Sequence, residues 1–169
     1  FNFVATVEAI IDCGAIPRIC KINENLHIDC ASVTELINNK TKAIIPVYML
    51  GMLGSIDELK DLRNSYGIPF VEDNCESVGS KYREKFAGNL FDVGVLSFDH
   101  GKMITCGEGG AILTNSEEIN NYIRRYSDHG HSLDKNVPRG LDRGIMPGFN
   151  YRMTELQAAV GKVQLKKLD

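Results

Sequence analysis

KAIIPVYMLGMLGSIDELKDLRNSYGIPFVE, residues 42–72, reads as strand, helix, strand. Residues 42–49 and 68–72 are apolar almost throughout, the pattern of strands covered on both faces. Between them Ser55, with Glu58 three residues on, has the form of a capping box, and Gly67 is the residue type that ends a helix. Outward from this unit the alternation continues. Residues 93–98 (VGVLSF) and 111–114 (AILT) are two more strand candidates. Residues 4–11, 31–38, 116–126 and 154–168 read as helices, the first stopped by Gly14, and Pro17 opens an extended segment over 18–22. The last helix carries Leu156, Ala159, Val160 and Val163 on one face and Lys162, Lys166 and Lys167 on the other. Apolar strands separated by helices predict an α/β fold, a three-layer sandwich with a mostly parallel sheet.

Composition narrows the partners. The 169 residues are 43% hydrophobic and 24% charged, with a formal net charge of −3, which excludes disorder, collagen and coiled coil. There is no basic stripe of the kind that nucleic acid requires, so no nucleic-acid partner is expected. The longest apolar stretch, residues 43–53, is about half of a membrane span, so no membrane partner is expected either. Five cysteines at 13, 20, 30, 75 and 106 form no CxxC pair, which speaks against a disulfide framework or zinc site and suits a reducing cytoplasm. No metal is expected: His129-Gly130-His131 has no carboxylate or Cys at a dependable ligand spacing. Residues 127–148 are too long for a structureless connection and read as a functional loop.

In an open α/β sheet, ligands gather at the carboxyl ends of strands. Polar residues stand at three such places: EDNCE at 72–76, SFDHGK at 97–102, and GEGG at 107–110. The glycines of 107–110 precede a strand rather than follow one, so they do not make a dinucleotide fingerprint, and Met103 after Gly101-Lys102 breaks the phosphate-loop pattern. A carboxylate at one strand end, with Ser and Lys at the next, suits pyridoxal 5'-phosphate instead. The amine forms a Schiff base, the acid keeps the ring nitrogen protonated, and a hydroxyl or a run of amides takes the phosphate.

These residues also carry a resemblance. The block SF-x-x-x-K-x-I-x-x-GEGGA at 97–111, EDNCESVG at 72–79 and GFNYRMTELQAAVGKVQLKKLD at 148–169 resemble the DegT/DnrJ/EryC1/StrS family. FVATVEAI, TKAIIPVYMLG and SDHGH resemble it too, so the likeness runs through essentially all 169 residues. These are fold-type I pyridoxal phosphate enzymes that act on nucleotide-linked keto sugars. The resemblance implies that Lys102 binds the cofactor's aldehyde and shuttles the proton, and that Asp73 pairs with the ring nitrogen. Cys75 lies against a ring face as an apolar shelf, and Ser97 hydrogen-bonds the phosphate. Glu76 stands near the phenolic oxygen where the family usually has Gln or His. Asn150 and Arg152 reach the phosphate region from a neighbouring subunit, implying a homodimer with a shared active site. His129 lies in the mobile-loop region. Glu72, on the other side of the strand from Asp73, reads as structural.

The implied reaction is transfer of an amino group from L-glutamate to a nucleotide-linked keto sugar. The alternatives are a sugar dehydratase of the same family, towards which Glu76 and EDNCES lean, and a chain without activity. The dehydratase branch typically has His where this chain has Lys102. Residues 1–169 are expected to be the central part of the cofactor-binding large domain, without its first segment and without the small C-terminal domain.

Overall fold

Parallel pairing begins where the sequence is most apolar. The computed structural model describes residues 1–168, so Asp169, which closes the motif at 148–169, lies outside the described residues. The elements run α1 (Val4–Asp12), α2 (Cys30–Leu36), α3 (Ile56–Tyr66), β1 (Val71–Asp73), β2 (Lys81–Tyr82), β3 (Lys85–Phe86), β4 (Val93–Ser97), β5 (Gly110–Leu113), α4 (Glu117–Tyr126) and α5 (Glu155–Leu165). β1 pairs in parallel with β4, and β4 pairs antiparallel with β5, so the sheet is mixed at that edge. No helix separates β4 from β5, and without a crossover the chain can only return antiparallel.

Residues 44–48 add a further row beside β1. Ile44 N–H donates to Pro69 O, Val71 N–H to Ile44 O, Asp73 N–H to Pro46 O and Tyr48 N–H to Asp73 O, at 2.9–3.0 Å. Pro46 has no N–H, so one bond of that ladder is missing and only isolated bridges at Ile44 and Val47 remain. Strand alternation then decides the packing. Phe70 and Glu72 turn to one face and are completely buried. There α2 and α3 cover the sheet with Val33, Ile56, Leu59 and Leu62, and Ile44, Tyr48 and Ala87 complete the core. Asp29 caps α2 through bonds from the amides of Ala31 and Ser32, and Gly67, at φ +63°, closes α3.

Glu72 is the structural residue its position implies. Its carboxylate accepts the amides of Gly88, Leu90 and Phe91 at 2.8–2.9 Å, which ties the 88–91 loop onto the sheet. Gly94, paired with Glu72, lies so close beneath that loop that a Cβ would fall 2.2 Å from Gly88 O.

Three local expectations change. Ser55 holds the N-cap position of α3 but its side chain makes no capping bond, and Glu58 faces the Cys30 thiol instead of closing the box. Burial, with the Glu58 charge beside it, pushes that thiol up to about 12. The β2–β3 hairpin turns through Arg83-Glu84, with Arg83 at φ +53°, a tight turn without the Asn-Gly signature that would announce it. The apolar face of α5 is exposed: Leu156 is 81% accessible, and Ala159, Val160 and Val163 are exposed with it. The half-buried side of α5 is Gln157, Ala158, Gly161 and Gln164, with Gly161 facing Cys106. Among the described residues, no helix is long and apolar enough to cross a membrane.

Candidate active site

Because Glu72 turns to the packed face, Asp73 turns to the other. Register places Asp73 beside Val95, and Ser97 two residues further along β4, so Asp73, Val95 and Ser97 share that second face at the strand ends. The Asp73 backbone is paired on both sides. Its carboxylate accepts the Thr6 hydroxyl on Oδ2 at 2.7 Å and the Cys75 amide on Oδ1 at 3.2 Å.

The chain then turns sharply. Asn74 is buried, with its amide on Val95 O at 3.0 Å and its side-chain NH2 on Ala87 O at 3.1 Å, and the Ser77 hydroxyl donates to its Oδ1. These bonds hold the turn against β4, leaving Cys75 Sγ 3.9 Å from Val95 O. Burial first, and then the Asp73 carboxylate, push the Cys75 thiol up to about 12, while Lys102 pulls the other way. At neutral pH this sulfur is a thiol, a small apolar surface and not a nucleophile.

The loop after β4 returns Lys102 to the same place. Ser97 Oγ accepts the Asp99 amide at 3.4 Å, Asp99 Oδ1 accepts the Gly101 amide at 2.5 Å, and the Lys102 amide bonds Asp99 O at 3.1 Å. Phe98 pairs with both Gly109 and Cys106, which closes the loop back onto β5. The Lys102 side chain, only 17% exposed, brings Nζ to 3.4 Å from Glu76 Oε1. Asp73 holds the Cys75 amide, Glu76 follows Cys75 in the same turn, and Lys102 Nζ meets Glu76, so the four residues gather at one strand end, with Ser97 at the neighbouring one.

Asn150 and Arg152 belong to a different cluster. Asn150 bridges Asp128, and Arg152 donates to Asp128 Oδ1 at 2.6 Å, as does Arg139, while His131 Nδ1 lies 3.6 Å from Oδ2. Burial disfavours the Asp128 carboxylate, but the two arginine bonds outweigh it and hold its pKa below the usual carboxylate range. His129 stands at φ +55°, its amide on Phe149 O at 3.0 Å. Sequence reasoning missed two of these contacts. Thr6 gave no signal, since a Thr in an apolar helix has no mark of its distant partner. Asp128 also gave no clear signal, since the loop that follows carries Asp134 and Asp142 as well, and nothing in the sequence marks which of the three meets Arg139 and Arg152.

Comparison with known proteins places this geometry. A GDP-perosamine synthase of Vibrio cholerae is 36% identical over 170 residues, covering 100% of this chain and 45% of the relative. The structure of Helicobacter pylori PseC, an aminotransferase involved in the biosynthesis of pseudoaminic acid, superposes with a TM-score of 0.92 at 31% identity, over 99% of this chain and 44% of that one. GDP-4-keto-6-deoxymannose-3-dehydratase (ColD) with bound GDP-perosamine gives 0.90 at 30% identity, over 99% and 47%. The chain thus spans a little under half the length of these relatives, and the likeness carries the fold-type I α/β architecture. A family model matches residues 1–169 from end to end, and the chain belongs to the DegT/DnrJ/EryC1/StrS aminotransferase family.

Proposed function

We propose that this chain is the central part of the cofactor-binding large domain of a pyridoxal phosphate-dependent enzyme that moves an amino group from L-glutamate to a nucleotide-linked keto sugar. The observation that carries the reading is the convergence of Asp73, Cys75, Glu76 and Lys102 around one spot, with Ser97 one strand over. Family membership and the GDP-sugar names of two relatives support the substrate class. The cofactor fits the donor set. An amine, a carboxylate with lone pairs to spare and a hydroxyl match an aldehyde, a ring N–H and a phosphate.

When bound, pyridoxal phosphate supplies a carbonyl carbon for the amino group and a ring that stores the electron pair released at the substrate carbon. Lys102 would hold the cofactor's aldehyde carbon through Nζ and would serve as the proton carrier at that atom. Asp73 takes the ring N–H on the lone pairs left by Thr6 and Cys75, and its charge keeps that nitrogen protonated. Cys75 would offer its thiol as an apolar surface to the ring. Ser97 donates its hydroxyl to the phosphate. Glu76 keeps its charge matched by Lys102 Nζ, which limits its repulsion of a phenolate oxygen. Asn150 and Arg152 act across a homodimer on the partner's phosphate region, which agrees with their distance in sequence and contacts from the Asp73 cluster. The five free cysteines suit the cytoplasm.

The test is to load the protein with cofactor, add L-glutamate alone and follow the cofactor's absorbance. Conversion to the aminated form without sugar supports amino transfer. Absorbance that stays unchanged overturns it. Glu76 favours the dehydratase as second reading, but the Lys102 amine opposes it. A dehydratase would consume the sugar hydroxyl and return no amino sugar, so the product identifies which reaction runs.

A further inference from the structure

The bond from Thr6 to Asp73 joins residues 67 apart in sequence and has no structural reason on the α1 side. α1 buries none of its described residues fully, and only Thr6, Val7 and Ile10 are half-buried, so apolar packing holds this helix weakly. Nor is the hydroxyl spent within its own helix, where a Thr commonly bonds the carbonyl four residues back. For Thr6 that carbonyl belongs to Asn2, which precedes the helix. The hydroxyl points out of the first turn of α1 to a carboxylate on another element, and the positive end of the helix dipole favours the negative charge there.

On the Asp73 side the bond does specific work. The backbone of Asp73 is already held by Pro46 O and the Tyr48 amide, so only side-chain torsions stay free. The terminal torsion of an aspartate is broad and roughly two-fold, and one donor does not fix it. Two donors do. The Cys75 amide holds Oδ1 from the local turn and Thr6 holds Oδ2 from α1, which sets the carboxylate plane and leaves lone pairs on both oxygens directed outward.

We propose that Thr6 is a positioning residue: its hydroxyl fixes the rotation of the Asp73 carboxylate in the orientation that receives the cofactor's ring N–H. This rests on the assignment of Asp73 given above. Orientation established before binding is not lost on binding, so the effect falls on cofactor affinity and on the protonation of the ring nitrogen.

The experiment is equilibrium titration of the cofactor-free protein with pyridoxal phosphate, together with the pH dependence of the bound cofactor's absorbance. It compares wild type, Thr6→Val, Thr6→Ser and the same Thr6→Val change in an Asp73→Ala background. Thr6→Val is expected to weaken cofactor binding about tenfold, the scale of one hydrogen bond to a charged group, and to shift the pH profile. Thr6→Ser restores both, and in the Asp73→Ala background Thr6→Val has no further effect. Thermal melting without cofactor controls for folding, and Thr6→Ala replaces Thr6→Val if the valine variant melts early. Wild type that takes up no cofactor overturns the site assignment and this proposal with it. Wild type that binds, beside a Thr6→Val that binds equally or a loss that persists in Asp73→Ala, overturns the role of Thr6 alone.

Discussion

The two faces of the sheet are built on different principles. On the Phe70–Glu72 face, α2, α3 and the 88–91 loop exclude solvent completely, and a carboxylate is spent wholly on backbone amides. On the Asp73–Ser97 face, α1 reaches the sheet through Thr6 with no fully buried residue, Ile112 of β5 is 47% accessible, and the carboxylate retains free lone pairs. Glu72 and Asp73 are adjacent, of the same chemistry, and separated only by the pleat. One face therefore holds the fold, and the other has its polar groups held in place yet available. Mutations on the first should register as stability, and mutations on the second as chemistry.

Lys102→Ala gives the largest separation of the two. On the proposed role of its amine, this change is expected to lower kcat/KM by on the order of a thousandfold or more. The urea midpoint of the cofactor-free protein should shift little, since the side chain adds no core contact and pairs only with the partly exposed Glu76. A collapse of stability together with activity would erase the distinction between the faces.

Glu72→Gln is the converse. The replacement amide can accept on one atom only, so its NH2 confronts at least one of the three backbone donors. A buried donor left without a partner costs about 1–3 kcal/mol, and two opposed donors lie at the upper end. Chemical denaturation is expected to show that loss, with kcat per folded molecule unchanged. Tyr48 sharpens the experiment: burial, and then the Glu72 charge, push its phenol well above the ordinary range, and removing the charge should bring the phenol's ultraviolet titration down.

The packed face was legible because its logic is local. KAIIPVYM and IPFVE are apolar runs, Gly67 ends a helix, and Glu72 alternates away from Asp73; each follows from period and residue type. The clustering of Asp73, Cys75, Glu76 and Lys102, with Ser97 at the next strand end, was foreshadowed by their places at strand ends and by the family motif. What was not legible depends on distant partners. Thr6 meets Asp73 across 67 residues, and Pro46 removes a ladder bond and leaves the expected strand at 42–49 as isolated bridges. α5 turns Gln157, Ala158, Gly161 and Gln164 inward, against the apolar periodicity of Leu156, Val160 and Val163, and the sequence carries no mark of that orientation.

Asp92 tests how the packed face responds to pH. Its hydrogen bond from Arg63 is the main cause that lowers its pKa, with the Phe70 amide also donating, at 2.9 Å, and the pair clips α3 to the sheet. A carboxyl whose pKa is lowered by folding stabilises the fold above its unfolded pKa, near about 4, and loses that contribution as pH falls through the folded value. Stability should therefore decline on acidification below about pH 4 more steeply in wild type than in Asp92→Asn, which is already weakened by about 1–2 kcal/mol at neutral pH. Parallel acid profiles would mean that the clip contributes nothing.

The smallest effect belongs to Cys75, and it separates a surface from a reagent. A thiol at about 12 is ionised at pH 8 to only about one part in 10⁴, whereas the ordinary cysteine range gives a fraction near one tenth. Alkylation by iodoacetamide, resolved by peptide mass spectrometry, should therefore modify exposed Cys13 long before Cys75. Cys75→Ala should change kcat by less than about threefold, because a methyl offers nearly the same apolar surface as an SH. Rapid alkylation, or a large loss in the alanine variant, would make the sulfur a participant and move it from support to chemistry. Lys102 is the one cation that pulls this thiol down. In Lys102→Ala, with Asp73 and Glu76 unopposed, Cys75 should react more slowly still. A faster reaction there would mean that the lysine shields the sulfur instead of acting on its charge.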